Sequence, residues 1–225
     1  MTEAVDRGMR TQLEQCQRAL ALGDRRIGWK VALNQKALQD RFGLERPAVG
    51  YLLASAEVGS AGIHALAGCT SPRMEAEVAI HLGRDLSAKP NAEEAAAAIA
   101  GLGAAIEIVD IDRAFDDIEA ILSGNVFQRA VRFSARFEHK GLAGVRAILH
   151  RNGKKINSAD ASVAADDPAE VLVDLAASLA EHGEFLRKGD RIIAGSLFPP
   201  SEVSPGDRFA FDLGPLGSVE IEFSA

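Results

Sequence analysis

The chain has 225 residues, is 47% hydrophobic and only 5% aromatic, and carries a formal net charge of −7. That length and apolar share predict a globular chain with a core of its own, while the lack of a basic block and the scarcity of aromatic rings exclude a nucleic-acid surface. No apolar run approaches the ~18–20 residues of a membrane span, and Cys16 and Cys69 make neither a disulfide framework nor a Cys/His ligand pattern.

Glu3, Asp6, Arg7, Arg10, Glu14 and Arg18 interrupt the first twenty residues, which leaves no signal-peptide core. A soluble, cytoplasmic protein is expected. Residues 2–22 read as an amphipathic helix stopped at Gly23-Asp24. Ile27 to Leu33 alternates and predicts a strand. Asn34 is a candidate cap for a short helix to Phe42, ended by Gly43. Residues 46–60 read as loop, and Met74–Leu82 as a strand. Asn91, with Glu93 and Glu94 behind it, predicts a helix through the alanine run to Gly101-Leu-Gly103.

Ala104–Ile111 then reads as a strand, Phe115–Leu122 as a short helix, and Val126–Phe133 and Val145–His150 as strands. Asn152-Gly153 marks a hairpin turn. Asp167-Pro168-Ala169-Glu170 sets an N-cap, a proline at the first helical position and a glutamate at the third. The helix it opens should run to about His182. Arg191–Ala194, Arg208–Leu213 and Ser218–Phe223 read as strands. Gly-Asp-Arg recurs at 23–25, 189–191 and 206–208, each time before a strand, which is turn chemistry rather than a repeat. The elements keep no strict βαβ rhythm, so an α+β fold with its strands concentrated late is expected.

Three carboxylates interrupt runs that otherwise read as buried strand. In Arg73-Met-Glu-Ala-Glu-Val-Ala-Ile80, Met74, Ala76, Val78 and Ile80 share one face, so Glu75 and Glu77 share the other. In Ala104–Val109, Glu107 stands opposite Ile106 and Ile108. An ionised carboxylate in such surroundings is costly unless it is paired or holds a metal. Either these are the wet faces of half-exposed strands, or they converge on a hard divalent cation such as Mg²⁺ or Mn²⁺.

Lys30 shares its strand face with the small residues Gly28 and Ala32. It lies either at the floor of a pocket, presenting its ammonium to an anion, or on an exposed face from which it reaches water. In Ala194-Gly-Ser-Leu-Phe-Pro-Pro200 a strand meets a double proline, which is either an ordinary loop or a place where backbone N–H groups and the Ser196 hydroxyl hold a carboxylate. The histidines are scattered at 64, 81, 139, 150 and 182. His81 continues the face of Glu75 and Glu77.

The order of these pieces carries a resemblance. Gly28-Trp-Lys30-Val-Ala-Leu33 comes first, then Pro72-Arg-Met-Glu-Ala-Glu-Val-Ala-Ile80, then Ala105-Ile-Glu-Ile-Val-Asp110. Ala194-Gly-Ser196, Pro205-Gly-Asp-Arg-Phe209 and Gly214-Pro-Leu-Gly-Ser-Val219 close the series. From about residue 10 to its end the chain resembles the 2-oxopent-4-enoate hydratase and 2-oxo-3-hexenedioate decarboxylase branch of the fumarylacetoacetate hydrolase superfamily.

The resemblance implies one catalytic domain over residues 1–225, folded as a mixed β-roll with flanking helices, and a homo-oligomer. It implies that Glu75, Glu77 and Glu107 hold Mg²⁺ or Mn²⁺, that Lys30 acts beside a bound small 2-oxo acid, and that Ser196 lies in the loop contacting the substrate carboxylate. It further implies a lyase that hydrates a 2-hydroxy-dienoate to a 4-hydroxy-2-oxo acid. The alternatives are a decarboxylase of 2-oxo-3-enedioates, an acylpyruvate-type hydrolase, or a binding subunit partnering an active paralogue. Two departures bear on the choice. Hydratases of this family commonly carry an aspartate in the Pro-x-x-Gly segment, where this chain has Pro47-Ala48-Val49-Gly50, and Ala48 has no proton to transfer. Ser158-Ala-Asp-Ala-Ser162 replaces an expected glycine-rich stretch.

Overall fold

The computed structural model describes residues 2–137 and 141–225; His139 lies outside them. The amphipathic start folds as α1 (Glu3–Ala21), with the Thr2 hydroxyl accepting the N–H of Val5. Gln12, fully buried on this helix, donates from its amide to the carbonyls of Val49 and Leu122 at 3.0 and 2.9 Å.

The chain continues through β1 (Arg26–Ala32), α2 (Lys36–Phe42), β2 (Ala48–Leu53), β3 (Ile63–Ala65), β4 (Pro72–Leu82) and α3 (Ala92–Ala98). Next come β5 (Ile99–Asp110), α4 (Ile118–Ser123), β6 (Gln128–Phe133), β7 (Arg146–Arg151), β8 (Lys154–Asp160) and α5 (Ala161–Ala164). The last elements are α6 (Pro168–Ala180), β9 (Arg191–Ser196), β10 (Ser201–Glu202), β11 (Arg208–Asp212) and β12 (Ser218–Ser224). Helix starts follow local chemistry. Asn91 and Glu94 form a reciprocal capping box at α3, and Asp167 caps α6 ahead of Pro168.

Among the described residues the strands make two sheets. The first runs β2-β1-β9-β4-β5-β6, with β10 also on β4, and the second runs β3-β12-β11-β7-β8. The β1–β9 and β12–β3 pairs are parallel and the others antiparallel. The first sheet rolls up. The segment after β2 bridges to β6 through Glu57 and Val131, and Asn125, just before β6, bonds both backbone groups of Tyr51 on β2. Ile27, Leu52, Ala79, Ala105, Val131 and Ile193 form a small apolar cluster of their own, apart from the main core that holds Trp29, Met74, Ile106 and Ile108. A one-residue slip of β4 would exchange Met74, Ala76, Val78 and Ile80 in that main core for Glu75, Glu77, Ala79 and His81, so the register is firmly specified.

The structure corrects several expectations. Strands occur along the whole chain, and four of the first sheet's strands precede residue 111. Residues 48–53, expected as loop, form β2. Asn34 does not cap α2; Leu33 turns with φ 55°, Gln35 takes the cap position, and the Asn34 amide donates instead to Asp166 at 2.6 Å. The alanine helix stops at Ala98, and Gly101 and Gly103 lie inside β5, where a Cβ would press on the Phe137 backbone and on Ser134. The short helix begins at Ile118, after the Asp117 cap. Residues 125–127 are left-handed, so β6 starts only at Gln128.

Candidate active site

Glu75 and Glu107 are direct partners across the antiparallel β4–β5 pair, and Glu77 faces Ala105 one step along the same face. Directly opposed residues of such a pair project to the same side. One oxygen from each of Glu75, Glu77 and Glu107 lies within 4.8 Å of the other two. Glu77 and Glu107 are 1% and 0% exposed, and Glu75 sits at the partly open end.

Lys30 reaches this cluster from β1. Its Nζ donates to Glu107 Oε1 at 2.5 Å and to the Val126 carbonyl at 3.1 Å. Two strands separate β1 from β5; in a flat sheet they would stand about 14 Å apart at ~4.8 Å per strand. The roll makes the contact possible. Gly50, opposite Lys30 on β2, leaves the lysine stem its path, because a Cβ there would come within 2.7 Å of Lys30 Cγ.

The strip from 125 to 127 is the part of the site that pattern reading missed. Asn125, Val126 and Phe127 have φ of 54°, 50° and 63°, costly values for side chains larger than glycine and above all for β-branched valine. The Asn125 side chain secures the strip by accepting from Tyr51 N–H at 2.8 Å and donating to Tyr51 O at 3.0 Å. The turn aims the Val126 carbonyl at Lys30. A sequence whose residues all have ordinary extended alternatives gives no sign of this.

Ser196 stands opposite Glu77 in register, but its hydroxyl donates to the Phe198 carbonyl at 2.7 Å. Its neighbour makes the closer contact: Gly195 N–H donates to Glu77 Oε2 at 2.9 Å. Gly195 has φ 103°, and the Asn34 amide occupies the space where a Cβ would project, at 2.6 Å. His81 lies towards the far end of β4, with its ring against Phe137 at 5.4 Å, away from the glutamates. Ala48 is buried opposite Ala32 and brings no acid.

Three carboxylates and one ammonium leave an excess of negative charge in a largely buried space, open only on the Glu75 side. Burial, then the charges of Glu107 and Glu75, push Glu77 well above the ordinary carboxylate range. Burial also lifts Glu107, and despite the opposing pull of Lys30 it titrates at about 7. For Lys30 burial opposes the charge, yet Glu107, Glu75 and Glu77 together outweigh it and hold the ammonium above its usual value. With the carboxylates ionised, Glu107 Oε2 meets no donor among the described residues; a protonated Glu77 is the group positioned to supply one. An oxygen-only donor set, surplus buried charge and an orphaned oxygen all fit a hard divalent cation.

The fumarylacetoacetate (FAA) hydrolase C-terminal family matches residues 22–224, and the chain belongs to that family. It is 31% identical to the 2-keto-4-pentenoate hydratase of Paraburkholderia xenovorans (strain LB400) over 229 residues, covering 98% of this chain and 84% of the relative. It is 32% identical to a TodF product hydratase of Pseudomonas putida over 222 residues, covering 92% and 80%. Among solved structures it resembles 4-oxalocrotonate decarboxylase from Pseudomonas putida G7, complexed with magnesium and adipate, with a TM-score of 0.86 and 25% identity over 96% of this chain and 84% of the other.

Proposed function

We propose that this chain is a metal-dependent hydro-lyase that hydrates a 2-hydroxy-dienoate of the 2-oxopent-4-enoate type to a 4-hydroxy-2-oxo acid. The observation that carries this reading is the convergence of Glu75, Glu77, Glu107 and Lys30 in one largely buried cluster, in a chain 31% identical to a hydratase. Glu75, Glu77 and Glu107 are assigned to hold Mg²⁺ or Mn²⁺. Such a cation supplies Lewis-acid stabilisation of negative charge on a keto oxygen.

The protein's own groups do the rest. Lys30, charged and aimed by Glu107 and Val126, favours anionic character in a bound 2-oxo acid beside it. Gly195 N–H fixes the Glu77 carboxylate, and Ser196, at the end of β9, is assigned to the substrate carboxylate. Ala79 and Ala105 of the roll's apolar cluster share a strand face with Glu77 and Glu107, so apolar surface borders the polar group on that side. We take residues 1–225 as a single catalytic domain that works as a cytoplasmic homo-oligomer. No helix among the described residues is long and apolar enough to cross a membrane.

Ala48 favours a second reading. Hydration needs protons delivered at defined carbons, and the buried alanine on β2 supplies none. Decarboxylation of a 2-oxo-3-enedioate draws on the same stabilised anion and asks less of that position. The purified chain with Mg²⁺ and 2-hydroxypenta-2,4-dienoate should consume the dienoate absorbance and yield a 4-hydroxy-2-oxo acid. Release of CO₂ from 2-oxo-3-hexenedioate without hydration would select the decarboxylase. Turnover of neither substrate, with metal-dependent oxalate binding retained, would reduce the chain to a binding subunit.

A further inference from the structure

Beside the carboxylate cluster, β9 carries one residue more than its partner. Glu77 and Ala79 of β4 pair with Ser196 and Ile193, so the single Val78 is matched by both Ala194 and Gly195. On the other side of β9, the pairing with β1 ends at Lys30 and Ile193. A bulge of this kind releases backbone groups from the ladder and re-aims them. Here the Gly195 N–H turns to Glu77 Oε2 at 2.9 Å. The ladder does not hold that N–H in place; the surroundings of Gly195 do.

The nearest of these is Asn34. Past the end of β1 the chain turns at Leu33, whose φ of 55° is costly for leucine, and this brings the Asn34 amide against Gly195. Nδ2, Cγ and Oδ1 lie 2.6, 3.3 and 3.4 Å from the point where a Gly195 Cβ would stand, so the amide fills the space that glycine leaves. Asn34 is itself held twice. Its Nδ2 donates to Asp166 at 2.6 Å, and its carbonyl accepts from the buried Gln39 amide at 3.2 Å. Asp166 directly precedes Asp167, whose carboxylate accepts from Ala169 and Glu170 at the start of α6. A line of contacts thus runs from α6 through Asn34 and Gly195 to Glu77.

We propose that Asn34 is a positioning residue of the carboxylate cluster: wedged between Asp166 and Gly195, it keeps the β9 bulge in the shape that aims the Gly195 N–H at Glu77 and so supports metal affinity there. Outer groups that orient a ligating carboxylate contribute to metal binding. That consequence rests on the metal assignment made above, whereas the Gly195–Glu77 bond does not. Hydrogen exchange of isotope-labelled glycine amides, followed by NMR on the metal-free full chain, reads the bond directly. In Asn34→Ala, exchange at Gly195 should quicken at least ~tenfold, while Gly101 and Gly103 in β5 exchange as in the wild type. Asn34→Asp should act likewise by setting a like charge against Asp166. Adding Asp166→Asn to it, which swaps donor and acceptor, should restore slow exchange. Mn²⁺ binding by calorimetry should weaken at least ~threefold in Asn34→Ala. Asp166 is exposed, so Asp166→Ala carries the same test if Asn34→Ala folds poorly. Exchange at Gly195 that is unchanged, or faster only together with Gly101 and Gly103, overturns the proposal. So does wild-type Mn²⁺ affinity in a variant whose Gly195 amide has been loosened. A wild-type chain that binds no Mn²⁺ sinks the metal assignment instead, and the exchange measurement then decides alone.

Discussion

Lys30 Nζ and Glu107 Oε1 stand 2.5 Å apart with side chains 1% and 0% exposed. A pair this deeply buried costs several kcal/mol per ion in desolvation and recovers it through mutual attraction and further hydrogen bonds. The Val126 carbonyl supplies one of those bonds. Removing one partner should therefore be far worse than removing an exposed ion pair.

Lys30→Met should destabilise the metal-free protein by about 3–5 kcal/mol, because Glu107 is left buried without compensation. Denaturant unfolding measures this, and added Mn²⁺ should recover part of the loss. Pyruvate binding should fall, while metal affinity is kept or rises because a competing positive charge is gone. Weaker metal binding with pyruvate affinity intact would refute the role given to Lys30.

Glu75→Gln and Glu107→Gln each delete a charge from a donor set whose oxygens lie within 4.8 Å of one another. Each should weaken Mn²⁺ binding by at least ~tenfold, about 1.4 kcal/mol, in calorimetry. Wild-type affinity in both variants would end the metal assignment.

Acidity should be coupled to both stability and metal binding. Glu107 titrates at about 7 against an ordinary 4.5, and Glu77 is also raised, in each case first by burial. Between these values the metal-free folded protein keeps protons that the unfolded chain has released. Its stability from these groups should therefore fall as pH rises from about 4.5 to about 7. Metal binding, which needs the ionised carboxylates, should strengthen over the same window and release protons. Unfolding at several pH values in the presence of a chelator measures the first effect, and Glu77→Gln should flatten its slope. Calorimetry in buffers of different ionisation enthalpy measures the second.

Asn125→Ala removes both bonds to the Tyr51 backbone. A cost of about 1–3 kcal/mol is expected from the unsatisfied groups. Turnover should fall further than stability alone explains, since the strip that carries the Val126 carbonyl loses its anchor. Unchanged kcat with lowered Tm would show that the strip only supports the fold.

Much of the local structure was legible because it depends on neighbours in the chain. Alternation along 74–80 put Glu75 and Glu77 on one face, Asn91 and Asp167 announced their helices, and the Gly-Asp-Arg turns each lead to a strand. The α+β class followed from the order of such elements. The family resemblance rested on short motif segments spread from residue 28 to 219.

Where the pattern misled, a distant contact had overruled a local preference. Asn34 gave up a helix cap for Asp166, 132 positions away. Gly101 and Gly103, read as a helix stop, serve a strand that another segment crosses closely. Val126, an ordinary strand former, is held left-handed through Asn125 and Tyr51.

Periodicity alone fixed which faces the glutamates and Lys30 occupy, since side chains alternate along any strand whatever surrounds it. It left open whether those faces look out to water or in towards one another. The curl of the first sheet settles that question. Closing β2 towards β6 brings Lys30 across two intervening strands to Glu107 and buries both charges, and this depends on contacts between residues up to 77 positions apart that no local pattern encodes.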